Sequence, residues 1–131
     1  MKKRAPDVTM WGYDLSPQAV EYATTKYGLD VMLKDISKDE HVLPGVVTVL
    51  TETLEHMVDP HGLLHKLKAL GADWVVASCP AYEDPIKHYE HHLWCWLAGG
   101  FGLMFERCGY RVIRHYVFHP GATQFVIARA K

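Results

Sequence analysis

Apolar residues in this chain come in two patterns that alternate from the N-terminus onward: short unbroken runs, and stripes recurring every three or four positions. The run from Val8 to Tyr13 predicts a buried strand, and Ser16-Pro17 then supplies a helix N-cap with proline at the first helical position. A helix follows over Pro17 to Tyr27 and is closed by Gly28, after which Val31-Met32-Leu33 reads as a short strand running into Asp35. Pro44-Gly45 turns into Val46-Val47-Thr48-Val49-Leu50, a β-branched run of the kind covered on both faces of a parallel sheet, and so the expected central strand. Asp59-Pro60 opens a second helix whose Leu63, Leu64, Leu67 and Leu70 share one face until Gly71 stops it. Trp74 to Ala77 is a further buried strand, broken by Pro80 and by a polar segment through His92 that reads as a loop or lid. Helical spacing returns over Leu93 to Cys108 and Gly109 ends it. Two strands, Val112 to Phe118 and Gln124 to Ala128, then form a hairpin about His119-Pro120-Gly121.

Strands alternating with helices predict an α/β fold. The expected form is a three-layer Rossmann-like sandwich with a mostly parallel sheet and an antiparallel C-terminal strand. With 131 residues, 49% hydrophobic and 22% charged, residues 1–131 suit a single domain with a real core. A net charge of -1 and the lack of a basic stripe argue against nucleic acid or anionic lipid as partners. No apolar run has the length of a membrane span. The basic start, Met1-Lys2-Lys3-Arg4, reads as a solvated end, because no apolar stretch of the signal-peptide kind follows it. Cys79, Cys95 and Cys108 are odd in number and lack paired spacing, which suits reduced thiols and a cytoplasmic location.

Several polar residues stand where strands end, the place where α/β folds hold their ligands. Asp14 closes the first strand and turns straight into a helix; an acid so placed accepts hydrogen bonds from both hydroxyls of a ribose, or else it only favours the helix N-terminus beside Ser16. Asp35 has the same two readings, a ligand-facing acid or a turn acid before Ser37. After the expected central strand comes Glu55-His56. An imidazole titrates near neutrality and makes His56 a candidate base, the plainer reading being that the pair caps the strand and packs on the next helix. Nine histidines raise the question of a metal, with His88, His91, His92 and Cys95 in the polar segment and His61 and His65 one turn apart. No paired cysteines or acid-flanked His-x3-His pattern fixes a site, so no metal is expected. The segment then reads as a polar lid whose His88, Tyr89 and His92 meet an acceptor or only solvent. Trp94, Trp96, Phe101, Met104 and Phe105 read as core and helix packing.

Three places resemble the class I S-adenosylmethionine-dependent methyltransferases, in particular their small-molecule type 11/12 branch. Trp11-Gly12-Tyr13-Asp14-Leu15-Ser16-Pro17, with Ala19 and Ala23, is similar to that family's second-strand motif. Leu54-Glu55-His56-Met57-Val58-Asp59-Pro60, with Leu63, Leu64 and Leu70, resembles its stretch after the fourth strand and is the most specific of the three. Ala77-Ser78-Cys79-Pro80, then His88 to His92, then Cys108-Gly109-Tyr110 resemble its fifth strand, lid and closing helix-to-strand turn. The resemblance spans Val8 to the end. It implies S-adenosylmethionine as cofactor, with Asp14 on the ribose, Leu15 packed on the adenine, Asp35 and Ile36 at the adenine amino group, and Thr51, Glu52 and Glu55 along the methionine end. His56, with Glu55 beside it, would take the proton from the acceptor, since methyl transfer is an in-line displacement that needs alignment and proton removal.

The same resemblance implies a truncation at the N-terminus, because only thirteen residues precede Asp14 and the family's first strand and Gly-x-Gly-x-Gly loop have no counterpart. That strand lies mid-sheet, and an empty slot would leave backbone groups unpaired at roughly 1–3 kcal/mol each. Direct pairing of the strands ending at Asp14 and Leu50, or a strand from a homo-oligomer or partner chain, is expected in preference to a fragment, given the initial methionine. Two functional classes follow. One is a methyltransferase acting on a small molecule or cell component. The other is a catalytically degenerate binding or regulatory subunit that needs a partner chain. The set Asp14, Glu55 and His56 favours the first, and the missing glycine loop favours the second.

Overall fold

The structure, a computed structural model, describes residues 7–40, 45–83, 86, 89–118 and 123–131. The chain divides into two compact units, Met1–Val42 and Leu43–Lys131, each with its own sheet. The first unit is one strand-helix-strand crossover: β1 (Gly12–Asp14), α1 (Pro17–Tyr27) and β2 (Val31–Leu33), with β1 and β2 parallel and Gly12 opposite Val31. α1 starts as its sequence requires. Ser16 Oγ accepts from the Ala19 N–H at 3.2 Å, and Pro17 sits where its missing N–H costs nothing. It ends at Gly28, whose φ of 60° places it in the left-handed region that closes helices. The first strand is shorter than the apolar run beginning at Val8. β2 offers only three residues to pair with, and Val8 is 52% exposed rather than buried.

The second unit carries β3 (Val47–Thr51), a 3-10 turn (Leu54–His56), α2 (Pro60–Ala69), β4 (Trp74–Pro80), α3 (Ala98–Arg107), β5 (Tyr110–Phe118) and β6 (Thr123–Ala130). Its sheet runs in the order β3-β4-β6-β5. β3 and β4 are parallel, and β6 lies antiparallel between β4 and β5, so the last strand alone is reversed, as the sequence predicts. The hairpin turn expected about His119-Pro120-Gly121 lies outside the described residues, as do Met1 to Arg4 and Pro44.

Here the central strand is β4. β3, expected there from its β-branched run, is an edge of its sheet, with Val47 and Val49 54% and 53% exposed, because nothing among the described residues of this unit pairs with its outer side. β4 and β6 take the buried positions: Val75, Ala77, Cys79, Val126 and Ala128 are all sealed. β4 also extends past Ala77 to Pro80. The proline is tolerated at the strand's last position, where no further ladder bond is asked of its nitrogen. The strands ending at Asp14 and at Thr51 belong to different sheets, one in each unit.

Two helices complete this core. Leu63, Leu64 and Leu67 of α2 are buried, while Leu70, expected on the same face, is the C-cap residue and is 42% exposed. Asp59 caps α2 by accepting from the Gly62 N–H at 2.7 Å. α3 buries Phe101, Met104 and Phe105 and starts five residues later than the periodicity from Leu93 suggests. Leu93 and Trp94 lie ahead of the helix, their N–H groups donating to the Glu55 carbonyl at 2.7 and 3.2 Å. A chain of rings runs from Trp94 through Trp96, Phe101 and Phe105 to Tyr110, with successive centroids 5.9, 5.3, 5.4 and 6.2 Å apart. Burial pushes the Tyr110 hydroxyl up to about 12, and its O–H donates to the Leu64 carbonyl at 3.3 Å.

Candidate functional site

At the carboxyl end of β3 the backbone leaves the sheet abruptly. Glu52 has a φ of 46°, a strained left-handed conformation for a residue with a side chain. Two contacts hold it there: its N–H donates to the Ser78 carbonyl at 3.1 Å, and its carboxylate accepts from the Ser78 hydroxyl at 2.8 Å. The 3-10 turn follows and drives Leu54 and Glu55 inward while His56 faces out. Thr51 lies exposed at the strand's last position, its carbonyl accepting from the Thr53 hydroxyl at 2.9 Å.

Glu55 is the anomaly of this unit. Its side chain is fully buried, and neither carboxylate oxygen has a partner of good hydrogen-bond geometry, although its own backbone N–H and the Glu52 carboxyl lie close to it. Burial, with the Glu52 charge adding to it and His92 opposing, pushes its carboxyl up to about 7. The carbonyl of the same residue is engaged twice, receiving the Leu93 and Trp94 N–H groups.

Those bonds belong to a lacing of the polar segment onto the turn. His56 Nδ1 donates to the His91 carbonyl at 3.1 Å, and Trp94 Nε1 donates to the Met57 carbonyl at 2.8 Å. Glu83 organises the other side: one carboxylate oxygen accepts from the Tyr89 N–H at 3.1 Å and the other from His92 Nδ1 at 2.5 Å. The His56 and His92 rings meet edge to face with centroids 4.6 Å apart, and Tyr89 packs on His92 at 5.2 Å. Because His91 O and the Glu83 carboxylate are acceptors only, both Nδ1 atoms carry hydrogen, and each ring keeps Nε2 for a ligand or a proton. Glu55, His56 and His92 each offer a ligand atom within 4.8 Å of the others.

Of the residues singled out from sequence, the second unit thus joins Glu52, Glu55, His56 and His92, with Tyr89 beside them; His88 lies outside the described residues. The histidine pairings considered for a metal, His91 and His92 with Cys95 or His61 with His65, are not those the fold assembles among the described residues. Glu83 and Ser78 escaped the sequence reading. An acid nine residues ahead of a lid histidine was the available signal for Glu83, but only the folded loop turns that spacing into a contact. Cys79 and Cys108 are buried, and burial pushes both thiols up, which makes them inert packing.

In the first unit Asp14 and Asp35 follow two adjacent parallel strands. Asp14 accepts from the Ser16 N–H at 2.8 Å through one oxygen. Asp35 is more occupied: one oxygen takes the Ser37 N–H at 3.0 Å and the Ser37 hydroxyl at 2.5 Å, and the other pairs with Lys38 at 3.1 Å. The Ser37 hydroxyl, followed by Lys38, holds that carboxyl down at about 2. Leu15 is 68% exposed and Ile36 is half-buried.

No family model and no curated protein matches the chain. Solved structures do. One is a SAM dependent methyltransferase from Aquifex aeolicus, at a TM-score of 0.69 and 21% identity over 92% of this chain and 68% of that one. Another is magnesium protoporphyrin IX methyltransferase from Synechocystis PCC 6803 with bound SAH, at 0.70 and 13% over 92% and 64%. A third is a complex containing the Haloferax volcanii Trm112 methyltransferase activator, matched at 0.75 and 14% over 92% and 71%. The chain therefore has the α/β Rossmann-like fold of the class I methyltransferases and spans about two thirds of the length of these neighbours.

Proposed function

We propose that this chain is an S-adenosylmethionine-dependent methyltransferase acting on a small molecule or cell component, with residues 1–131 as a methyltransferase-like domain. The observation that carries the reading is the constellation at the carboxyl end of β3 and β4, where Glu52, Glu55, His56 and His92 converge on a fold shared with solved methyltransferases. Fold alone would support many chemistries; the strand-end groups narrow them. Asp14 fits the ribose end of the cofactor, since its exposed carboxylate spends one oxygen on Ser16 and keeps the other for a hydroxyl donor. Leu15 would cover the adenine, and Ile36 would lie near its amino group. Asp35, with both oxygens committed to Ser37 and Lys38, would contribute shape there more than hydrogen bonds. Thr51 and Glu52 would line the methionine end. The cofactor, when bound, supplies an electrophilic methyl group on a sulfonium.

Proton removal falls to His56. Its Nδ1–H is fixed on the His91 carbonyl, which leaves Nε2 as a base that is exposed to an incoming acceptor. Glu55 supports the imidazolium that forms, and Tyr89 and His92 present a polar wall for a small acceptor. The neighbour solved as a complex with a methyltransferase activator supports a partner chain. No helix among the described residues is long and apolar enough to cross a membrane, and with free cysteines this supports a cytoplasmic setting.

Calorimetric titration with S-adenosylhomocysteine tests the reading. Micromolar binding is expected, with Asp14→Ala weakening it more than tenfold at an unchanged melting temperature. Binding that is indifferent to Asp14→Ala removes that residue's role. No heat from the chain alone or with a partner would leave the degenerate subunit as the better description.

A further inference from the structure

The buried Glu55 carboxylate is relieved either by a proton or by a positive partner. Two oxygens removed from water with no well-placed donor are costly, and the geometry offers a cation site as the second remedy. Its potential co-ligands are already oriented. His56 Nδ1 is held by the His91 carbonyl and His92 Nδ1 by the Glu83 carboxylate. Histidines that bind metals are fixed in this way, through the ring nitrogen that does not touch the ion. The backbone bonds from Leu93 and Trp94 to the Glu55 carbonyl hold the two histidine-bearing segments together before any ligand arrives.

We propose that Glu55, His56 and His92 bind one divalent transition-metal ion of the zinc class. Two imidazole nitrogens and one carboxylate suit zinc, cobalt or iron(II), whereas calcium and magnesium ask for an all-oxygen shell. Three protein ligands leave at least one coordination position open, and His56 is exposed, so a small molecule has access to it. Glu52, held by Ser78 close to Glu55, adds negative charge beside the ion. A bound ion occupies His56 Nε2, so the metal-bound form and the form in which His56 accepts a proton are alternative states of this cluster; resting on the methyl-transfer reading, the open position of the metal-bound form favours an acceptor that brings an oxygen or nitrogen donor, and the metal site itself does not depend on that reading.

The test uses the full chain, stripped with a chelator, freed of it, and titrated with Zn2+ by calorimetry and with Co2+ by visible absorption. One equivalent is expected to bind at about 1 µM or tighter, with the cobalt form showing the spectrum of a low-coordinate nitrogen and oxygen site. Glu55→Gln, His56→Gln and His92→Gln should each weaken binding at least tenfold. Glu83→Gln should weaken it by about 10- to 100-fold, the range typical of residues that orient metal ligands. His65→Gln, an exposed histidine on α2, should change nothing. Circular dichroism confirms that each variant is folded, and Glu55→Gln is the variant least at risk because it removes a buried charge. Absence of saturable binding, or affinity unmoved in folded Glu55→Gln, overturns the site. Titration with S-adenosylhomocysteine in chelator separates the two readings: cofactor binding without metal binding defeats the metal site alone, and the converse defeats the methyl-transfer reading alone.

Discussion

Gln124 is a fully buried amide in β6 that uses its whole side chain. Its Nε2 donates to the Pro80 carbonyl at 3.1 Å and the Trp96 carbonyl at 2.9 Å, and its Oε1 accepts from His115 Nε2 at 3.0 Å. It thereby ties the end of β4 and the segment that follows His92 and Trp94 to the middle of the sheet. Gln124→Met keeps the volume and the apolar contacts but removes all three bonds. A shape-conserving exchange costs under about 1.5 kcal/mol, and each lost hydrogen bond about 0.5–1.5 kcal/mol, with two carbonyls and an imidazole N–H left wanting partners. The expected destabilisation is about 2–4 kcal/mol. For a chain of this length that is a fall in melting temperature on the order of 6–15 °C. Urea unfolding followed by far-UV circular dichroism measures it, provided the m-value is unchanged. His115→Ala should then cost less in the Gln124→Met background than in the wild type, because the shared bond is already gone. A loss below about 0.5 kcal/mol at constant m would refute the reasoning, since it would mean that the amide's partners are equally well satisfied without it.

Other consequences follow from single residues. Burial holds the Glu55 carboxyl at about 7 against an ordinary value of 4.5, so the folded state binds that proton more tightly than the unfolded chain. The penalty is absent below pH 4.5, grows as pH rises, and is fully present above 7, where it amounts to about 3 kcal/mol. In chelator, Glu55→Gln should therefore be the more stable protein at pH 8 and nearly equal to wild type at pH 4.5; a stability difference that is the same at both pH values would remove the assignment. Leu64 is sealed in the face of α2, and Leu64→Ala should cost about 2–5 kcal/mol in the same urea assay, against little for Leu70→Ala at the exposed cap. Should Leu70→Ala prove as costly as Leu64→Ala, the helix would pack through a wider face than described.

Local chemistry was enough to write down most elements of this protein. Ser16-Pro17 and Gly28 bound α1, Asp59-Pro60 starts α2, and the run Val31-Met32-Leu33 is β2 to the residue, because caps, proline and glycine act within a few positions of themselves. The reversed last strand was also legible, from hairpin-like alternation, and so was the place of Glu55-His56 just beyond the end of a strand. Pairing was not. Whether a β-branched run becomes the centre or the edge of a sheet depends on which strands flank it, and β3 has the composition of a central strand in an edge position. Nor does local spacing reveal that Leu93 and Trp94 stand ahead of α3 with their N–H groups on the Glu55 carbonyl. The same long-range bonds bring His92 to Glu55 and His56 across some thirty-six positions of sequence and set Glu83 behind it. Residue types alone supplied the possible ligands; tertiary closure chose which of the histidines meet a buried carboxylate and which remain on the surface.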